Sequence, residues 1–379
     1  MALKQQAGRI SALQFAVLIA AGYVGVGIFP FPRELVATAG AQAVYAFLLE
    51  CAAALTGLWL WFQVNRIDPD RPLPAFACRL VSPVLGYPLL LLTLVLHLAL
   101  AVVVITDFAF VMHTFFLIET PLWAVKISLM LTAIYVAWFD VTPLARTVQF
   151  VFAPAIVLSV LMGLLLLPRL TSAYALIPGT ALHPDVILLA AYKGFYIFWG
   201  YELTVTLYPF VHKSERPLAE RYAYRAMAGT FLFFALGYTL TLGSEGPQLL
   251  SISIWPGVST MRLINVSAFL INKLGLLLVS LWGIFVLAFT AVRVWCLAHD
   301  VLPVIRRDTA TWYRGLLLLF GALALFGSAQ FATATDLAAF SEHSLLPAIV
   351  LYNLGLPPLL LAAAVIARRR HLSMRSDTA

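Results

Sequence analysis

A chain of 379 residues that is 62% hydrophobic and 11% charged is excluded from the water-soluble class, because soluble domains carry about 25% charged residues to cover their surface. Its net charge is +7, from 24 Lys and Arg against 17 Asp and Glu, and its mean hydropathy is +0.95. The basic residues lie in short stretches between apolar runs, which argues for orientation in a lipid bilayer and against a nucleic-acid partner. Cys51, Cys78 and Cys296 stand far apart and give neither a disulfide framework nor a zinc site.

A helix crosses the hydrocarbon layer with about 20 apolar residues. Ten stretches meet that rule: 11–38, 41–64, 84–116, 121–139, 143–167, 184–211, 221–243, 265–297, 312–330 and 344–367. The first run lacks a small-residue cleavage site and leads into further spans, so it is expected to be retained rather than removed as a signal peptide. With the N-terminus inside and the spans alternating, 18 of the 24 basic residues fall inside, Arg293 and the run Arg368-Arg369-Arg370 among them. The six left over are Arg33, Lys126, Arg169, Lys193, Arg262 and Lys273. This asymmetry places both termini in the cytoplasm. The expectation is one transmembrane domain over residues 1–379, with no soluble domain.

The first span contains Ala21-Gly22-Tyr23-Val24-Gly25-Val26-Gly27-Ile28-Phe29-Pro30-Phe31-Pro32. Glycine is poor inside a helix and proline removes a backbone hydrogen bond. In lipid, backbone groups freed in this way persist only where protein or a cavity satisfies them. The pattern predicts a helix broken near Gly22–Gly27 and a second half-helix running to about Thr38. The start of a half-helix presents bare N–H groups and a positive dipole end, suited to a carboxylate. The alternative is a proline kink that serves packing alone.

The sixth span holds Tyr192-Lys193-Gly194-Phe195-Tyr196-Ile197-Phe198-Trp199-Gly200-Tyr201-Glu202. It too is interrupted by glycines. Lys193 lies nine residues past Pro184, about 13 Å deep at 1.5 Å per residue, where a charge faces a cavity or partner or snorkels to the headgroups. Tyr196, Phe198 and Trp199 supply an aromatic wall. Broken spans one and six, five apart, point to a transporter-type site between two repeats. Because five is odd, the repeats, 11–167 and 184–367, must be inverted. The expected fold is therefore all-α and membrane-embedded, a LeuT-type 5+5 inverted repeat with helices 1 and 6 broken.

Other ionisable groups lie at depth. Asp107 is a candidate for the site or for proton handling, or else a structural acid. Glu50 is a similar charge-relay or structural candidate. His97 and His113 read more simply as packing histidines, while Ser280, Trp282 and Thr290 belong to the eighth span. No P-loop, H-E-x-x-H, nucleophile elbow or metal-spaced His/Cys cluster occurs. No enzymatic activity, cofactor or metal is expected.

Several motifs resemble one family. Gly25-Val26-Gly27-Ile28-Phe29 is similar to the G-x-G-I-x signature of the amino acid–polyamine–organocation superfamily. Ile10-Ser11-Ala12-Leu13-Gln14-Phe15, Glu119-Thr120-Pro121-Leu122-Trp123, Phe198-Trp199-Gly200-Tyr201-Glu202, and Trp255-Pro256 with Arg262-Leu263-Ile264 resemble segments of the spore germination permease family. That family comprises the B subunits of germinant receptors. The chain departs from the family's F-P-F-G-E break, with Trp199 for proline and Tyr201 inserted before Glu202. Asp107 stands where the family has glutamate. The resemblance implies a germinant-binding subunit in a bacterial cytoplasmic or spore inner membrane. An amino acid or similar nutrient would be its ligand, and A-type and C-type (lipoprotein) subunits its partners. It implies a ligand site built from Gly22, Tyr23, Gly25, Val26, Gly27, Ile28, Asp107, Tyr196, Phe198, Trp199, Gly200 and Glu202, with Glu50 and Lys193 as charge-relay or structural groups. A secondary amino-acid transporter of the same superfamily is the alternative.

Overall fold

Ser11 opens the first helix. Its hydroxyl accepts from Gln14 N–H while the Gln14 side chain accepts from Ser11 N–H, a reciprocal cap that satisfies two otherwise orphaned donors. The computed structural model describes residues 8–25, 27, 29–73, 75, 77, 83–262, 274–305 and 309–376. Val26 and Ile28 lie outside the described residues, as do Lys4, Cys78, Arg79, Leu263, Ile264, Lys273, Arg306 and Arg307.

Helix α1, Ala12–Val24, stops where the glycines begin, and α2, Phe31–Ala39, starts at the prolines. Between them Gly27 takes φ +60°, a left-handed conformation that a β-carbon disfavours. The backbone freed by this break is satisfied locally: Phe31 N–H donates to Gly27 O at 3.1 Å and Gly257 N–H to Phe29 O at 3.1 Å. Next come α3, Ala43–Asn65, α4, Pro83–Phe115, α5, Leu122–Ala137, and α6, Val141–Leu164. Asp140, at φ 107°, caps α6 by accepting from Val141 N–H at 2.7 Å.

Helix α7, Pro184–Gly194, likewise stops at a glycine. Two 3-10 turns, Phe195–Phe198 and Tyr201–Leu203, flank the non-helical Trp199 and Gly200, before the short helix α8, Thr204–Leu207. Helix α9, Arg216–Ile252, is kinked at Gly246, whose φ is 74°, just before Pro247. It is followed by α10, Pro256–Arg262, α11, Leu274–Ile305, and α12, Ala310–Ser328. The last stretch is α13, Ala334–Phe340, α14, Leu346–Val350, and α15, Leu356–Ser376, joined by π-type turns at Ser341–Leu345 and Leu351–Gly355.

The protein is an all-helical, multi-pass membrane protein. Among the described residues it has no strand, only an isolated bridge between Ile10 and Val211. Among the described residues, seven helical stretches are long and apolar enough to cross a bilayer: Phe31–Asn65, Gly86–Phe115, Val141–Leu164, Lys213–Ile252, Val279–Ile305, Ala310–Ser328 and Ala334–Ala367. Ala12–Val24 and Leu122–Ala137 are shorter apolar helices. Helix α11 is central: its most apolar window is 83% buried, against 33% for α12, and it packs on α1, α4, α5 and α6.

In lipid, close packing rather than water exclusion holds helices together, and small residues allow it. Where the two breaks meet, a β-carbon on Gly200 would lie 2.5 Å from the Gly22 carbonyl carbon. The two backbones are in direct contact there.

Candidate functional site

A cavity of about 140 Å³ lies between residues of the two breaks. Gly25, Gly27 and Pro30 of the first break line it on one side, and Tyr196 and Trp199 of the second on another. Helix α4 contributes Val103, Val104 and Asp107, while Trp255 and Trp282 close the aromatic wall. Trp255 Nε1 donates to Asp107 Oδ1 at 2.9 Å. Among the described residues, the hydroxyl of Tyr196 and the indole nitrogens of Trp199 and Trp282 have no hydrogen-bond partner and are buried. Buried donors without partners are costly, so a cavity walled by three such side chains suits a polar guest.

The rim is charged. Lys193 Nζ lies 2.8 Å from Glu342 Oε1, joining the end of α7 to the π-type turn after α13. Arg33 and Glu34 sit beside it, 3.6 Å apart. The Lys193 and Glu342 side chains are 31% and 44% exposed, so this is the open face of the cavity.

The comparisons with known proteins bear on this geometry. A family model described as "Spore germination protein" matches residues 9–334. The chain belongs to the spore germination protein family. It is 24% identical over 264 residues to Spore germination protein KB of Bacillus subtilis (strain 168), covering 69% of this chain and 70% of that one. Among solved structures it is similar to MhsT in complex with L-phenylalanine, with a TM-score of 0.64 and 12% identity, over 96% of this chain and 99% of that chain. At that identity the likeness speaks for the fold alone, a LeuT-type transporter fold. Membership of the spore germination family and the LeuT-type fold therefore agree with the sequence reading.

Of the residues singled out in the sequence, Gly25, Gly27, Asp107, Lys193, Tyr196 and Trp199 come together at this cavity. Gly22 and Gly200 are not in its lining and instead form the backbone contact between the two breaks. Phe198 turns away, stacking on Phe47 and meeting Phe231 edge-on. Glu50 is fully buried against Gly194, with neither oxygen hydrogen-bonded among the described residues. Tyr23 and Glu202 are not among the residues that line the cavity. Glu202 Oε1 lies 2.6 Å from Arg293 Nη2.

Arg293 corrects the sequence reading, which counted it among the cytoplasmic positive charges. Helix α11 runs on to Ile305, so Arg293 sits 12 residues, about 18 Å, short of the helix end, and it is 0% exposed. Sequence reasoning also missed Arg33, Glu34 and Glu342 at the rim. Trp255 was signalled by the Trp255-Pro256 resemblance, but nothing local connects it to Asp107, 148 positions away.

Proposed function

We propose that the protein is the germinant-binding subunit of a spore germination receptor, holding an amino acid or similar small nutrient in the cavity between the two breaks. The single observation that carries this reading is Asp107, set in a wall of Tyr196, Trp199, Trp255 and Trp282. A carboxylate beside aromatic faces suits an ammonium group, by charge and by cation–π attraction. The ligand carboxylate then faces N–H groups of the first break, at the positive end of α2. Binding favours one arrangement of the bundle by its differential affinity, and that shift passes to A-type and C-type subunits. In the same reading the chain is one domain of two inverted repeats, with both termini in the cytoplasm and no catalytic role.

The experiment is a ligand screen on the full chain in nanodiscs. Indole fluorescence is followed across amino acids, sugars and nucleosides, since three tryptophans line the cavity. Saturable quenching by one class, weakened by Asp107→Asn, is expected. No response from any class, with the protein folded, overturns the proposal.

The transporter-type fold favours a second reading, a secondary amino-acid transporter. Proteoliposome flux separates the two. Solute accumulation by this chain alone supports transport, and binding without flux supports the receptor.

A further inference from the structure

The second break sets Trp199 between two 3-10 turns and brings the Glu202 carboxylate, 2% exposed, into the bundle interior. A carbonyl next to a buried carboxylate is a strongly electronegative site. In broken-helix membrane folds such sites take up a cation. Here the cation belongs to the chain. Arg293 Nη2 donates to Trp199 O at 3.1 Å and to Glu202 Oε1 at 2.6 Å. Its guanidinium lies over the Phe289 ring, 4.3 Å from the centroid. Phe289 in turn packs against Gly25 of the first break. One fully buried side chain therefore touches the second break directly and the first through a single ring.

We propose that Arg293 is a tethered cation that organises the broken segment of the sixth span in place of a diffusible ion. It acts as a positioning residue through Trp199, whose carbonyl it holds and whose side chain walls the cavity. Two further observations support the assignment. A guanidinium stays charged at every working pH, so the site keeps its cation without taking an ion from solution. Among the described residues, Arg293 Nε and Nη1 and Glu202 Oε2 are buried without a hydrogen-bond partner. The guanidinium engages the Trp199 carbonyl as well as the Glu202 carboxylate, which is a built site rather than an isolated bridge. Removal of the Arg293 side chain leaves an anionic, carbonyl-lined space shaped for a guanidinium.

The test is the thermal midpoint of the full chain in nanodiscs at pH 8, compared in sodium, potassium, choline and guanidinium chlorides at equal low concentration. Wild-type protein is expected to melt at the same temperature in the sodium, potassium and choline salts. Arg293→Ala is expected to melt lower, and to rise by at least about 2 °C in guanidinium over choline. The double variant Arg293→Gln/Glu202→Gln, which lacks the Glu202 carboxylate, should lose that preference. If Arg293→Ala fails to fold, the wild type and Arg293→Lys decide: both must be indifferent to sodium. Sodium stabilisation of either protein overturns the proposal. So does an Arg293→Ala protein that treats guanidinium and choline alike.

Discussion

Trp255 and Asp107 are joined across the cavity by an indole-to-carboxylate hydrogen bond of 2.9 Å. The bond ties the short helix α10 region to the third span and aims the carboxylate. Asp107→Asn keeps the shape and keeps an acceptor for the indole, so the fold should hold. A hydrogen bond to a charged group is worth about 1.5–3 kcal/mol. Affinity for the ligand found by fluorescence screening should therefore fall by about ten-fold or more, with the melting temperature nearly unchanged. Equal affinity in wild type and variant would remove Asp107 from the site.

Gly27 is the position where the backbone leaves no choice of residue. Its φ is +60°, and an added β-carbon would lie 2.2 Å from Tyr196 Cε2. Left-handed backbone costs an ordinary L-residue about 1–2 kcal/mol, and the Tyr196 ring must move as well. Gly27→Ala is expected to abolish the ligand response while membrane insertion, set by the apolar pattern, is unchanged. Because the two residues share one space, Gly27→Ala combined with Tyr196→Ala should lose less than the sum of the single losses. Strict additivity in that cycle would show that the ring is not the obstacle.

Much of this was legible in the sequence because it is written locally. Glycine and proline clustering marks both breaks, since each residue acts on its own backbone, and Asp107 and Lys193 stand out as charges in apolar runs. What could not be read is whatever depends on pairing between distant elements. Glu342 completes the rim only because the last span begins at Ala334, before the apolar run at 344–367, and turns through π-type geometry there. Glu202 is a ligand candidate through the resemblance of its segment to the family's break. Its partner Arg293, 91 positions away, reads as a cytoplasmic charge because it stands near the end of the apolar run 265–297, whereas helix α11 continues to Ile305. Phe198 and Tyr196 are two residues apart in an irregular segment, so no helical period could say which faces the cavity.

The Lys193–Glu342 pair bridges α7 and the last span at the cavity rim. Exposed pairs of this kind contribute about 0–1 kcal/mol, so neutralising them should scarcely move the melting temperature. The effect should appear in access. Lys193→Met with Glu342→Gln removes a strap across the opening, and ligand association measured by stopped-flow fluorescence should accelerate. An unchanged association rate, with affinity also unchanged, would mean that the pair does not cross the entry path.

Asp70 makes the clearest pH prediction, because it lies outside the spans. It accepts from Lys213 Nζ at 2.8 Å and from Arg216 Nη2 at 2.7 Å, joining the loop after α3 to the start of α9. These hydrogen bonds pull its carboxyl down from 3.8 to about 2. A depressed folded value means that the contribution to stability is fully present above the unfolded value near 3.8. It is then lost as pH falls through the folded one. The melting temperature of wild type should therefore exceed that of Asp70→Asn by a small margin at neutral pH. That margin should shrink between about pH 4 and pH 2. It should also narrow in about 1 M salt, because the Asp70 side chain is half-exposed and its charge is screened. A margin that widens on acidification would contradict the assignment of Lys213 and Arg216 as the groups that hold Asp70 ionised.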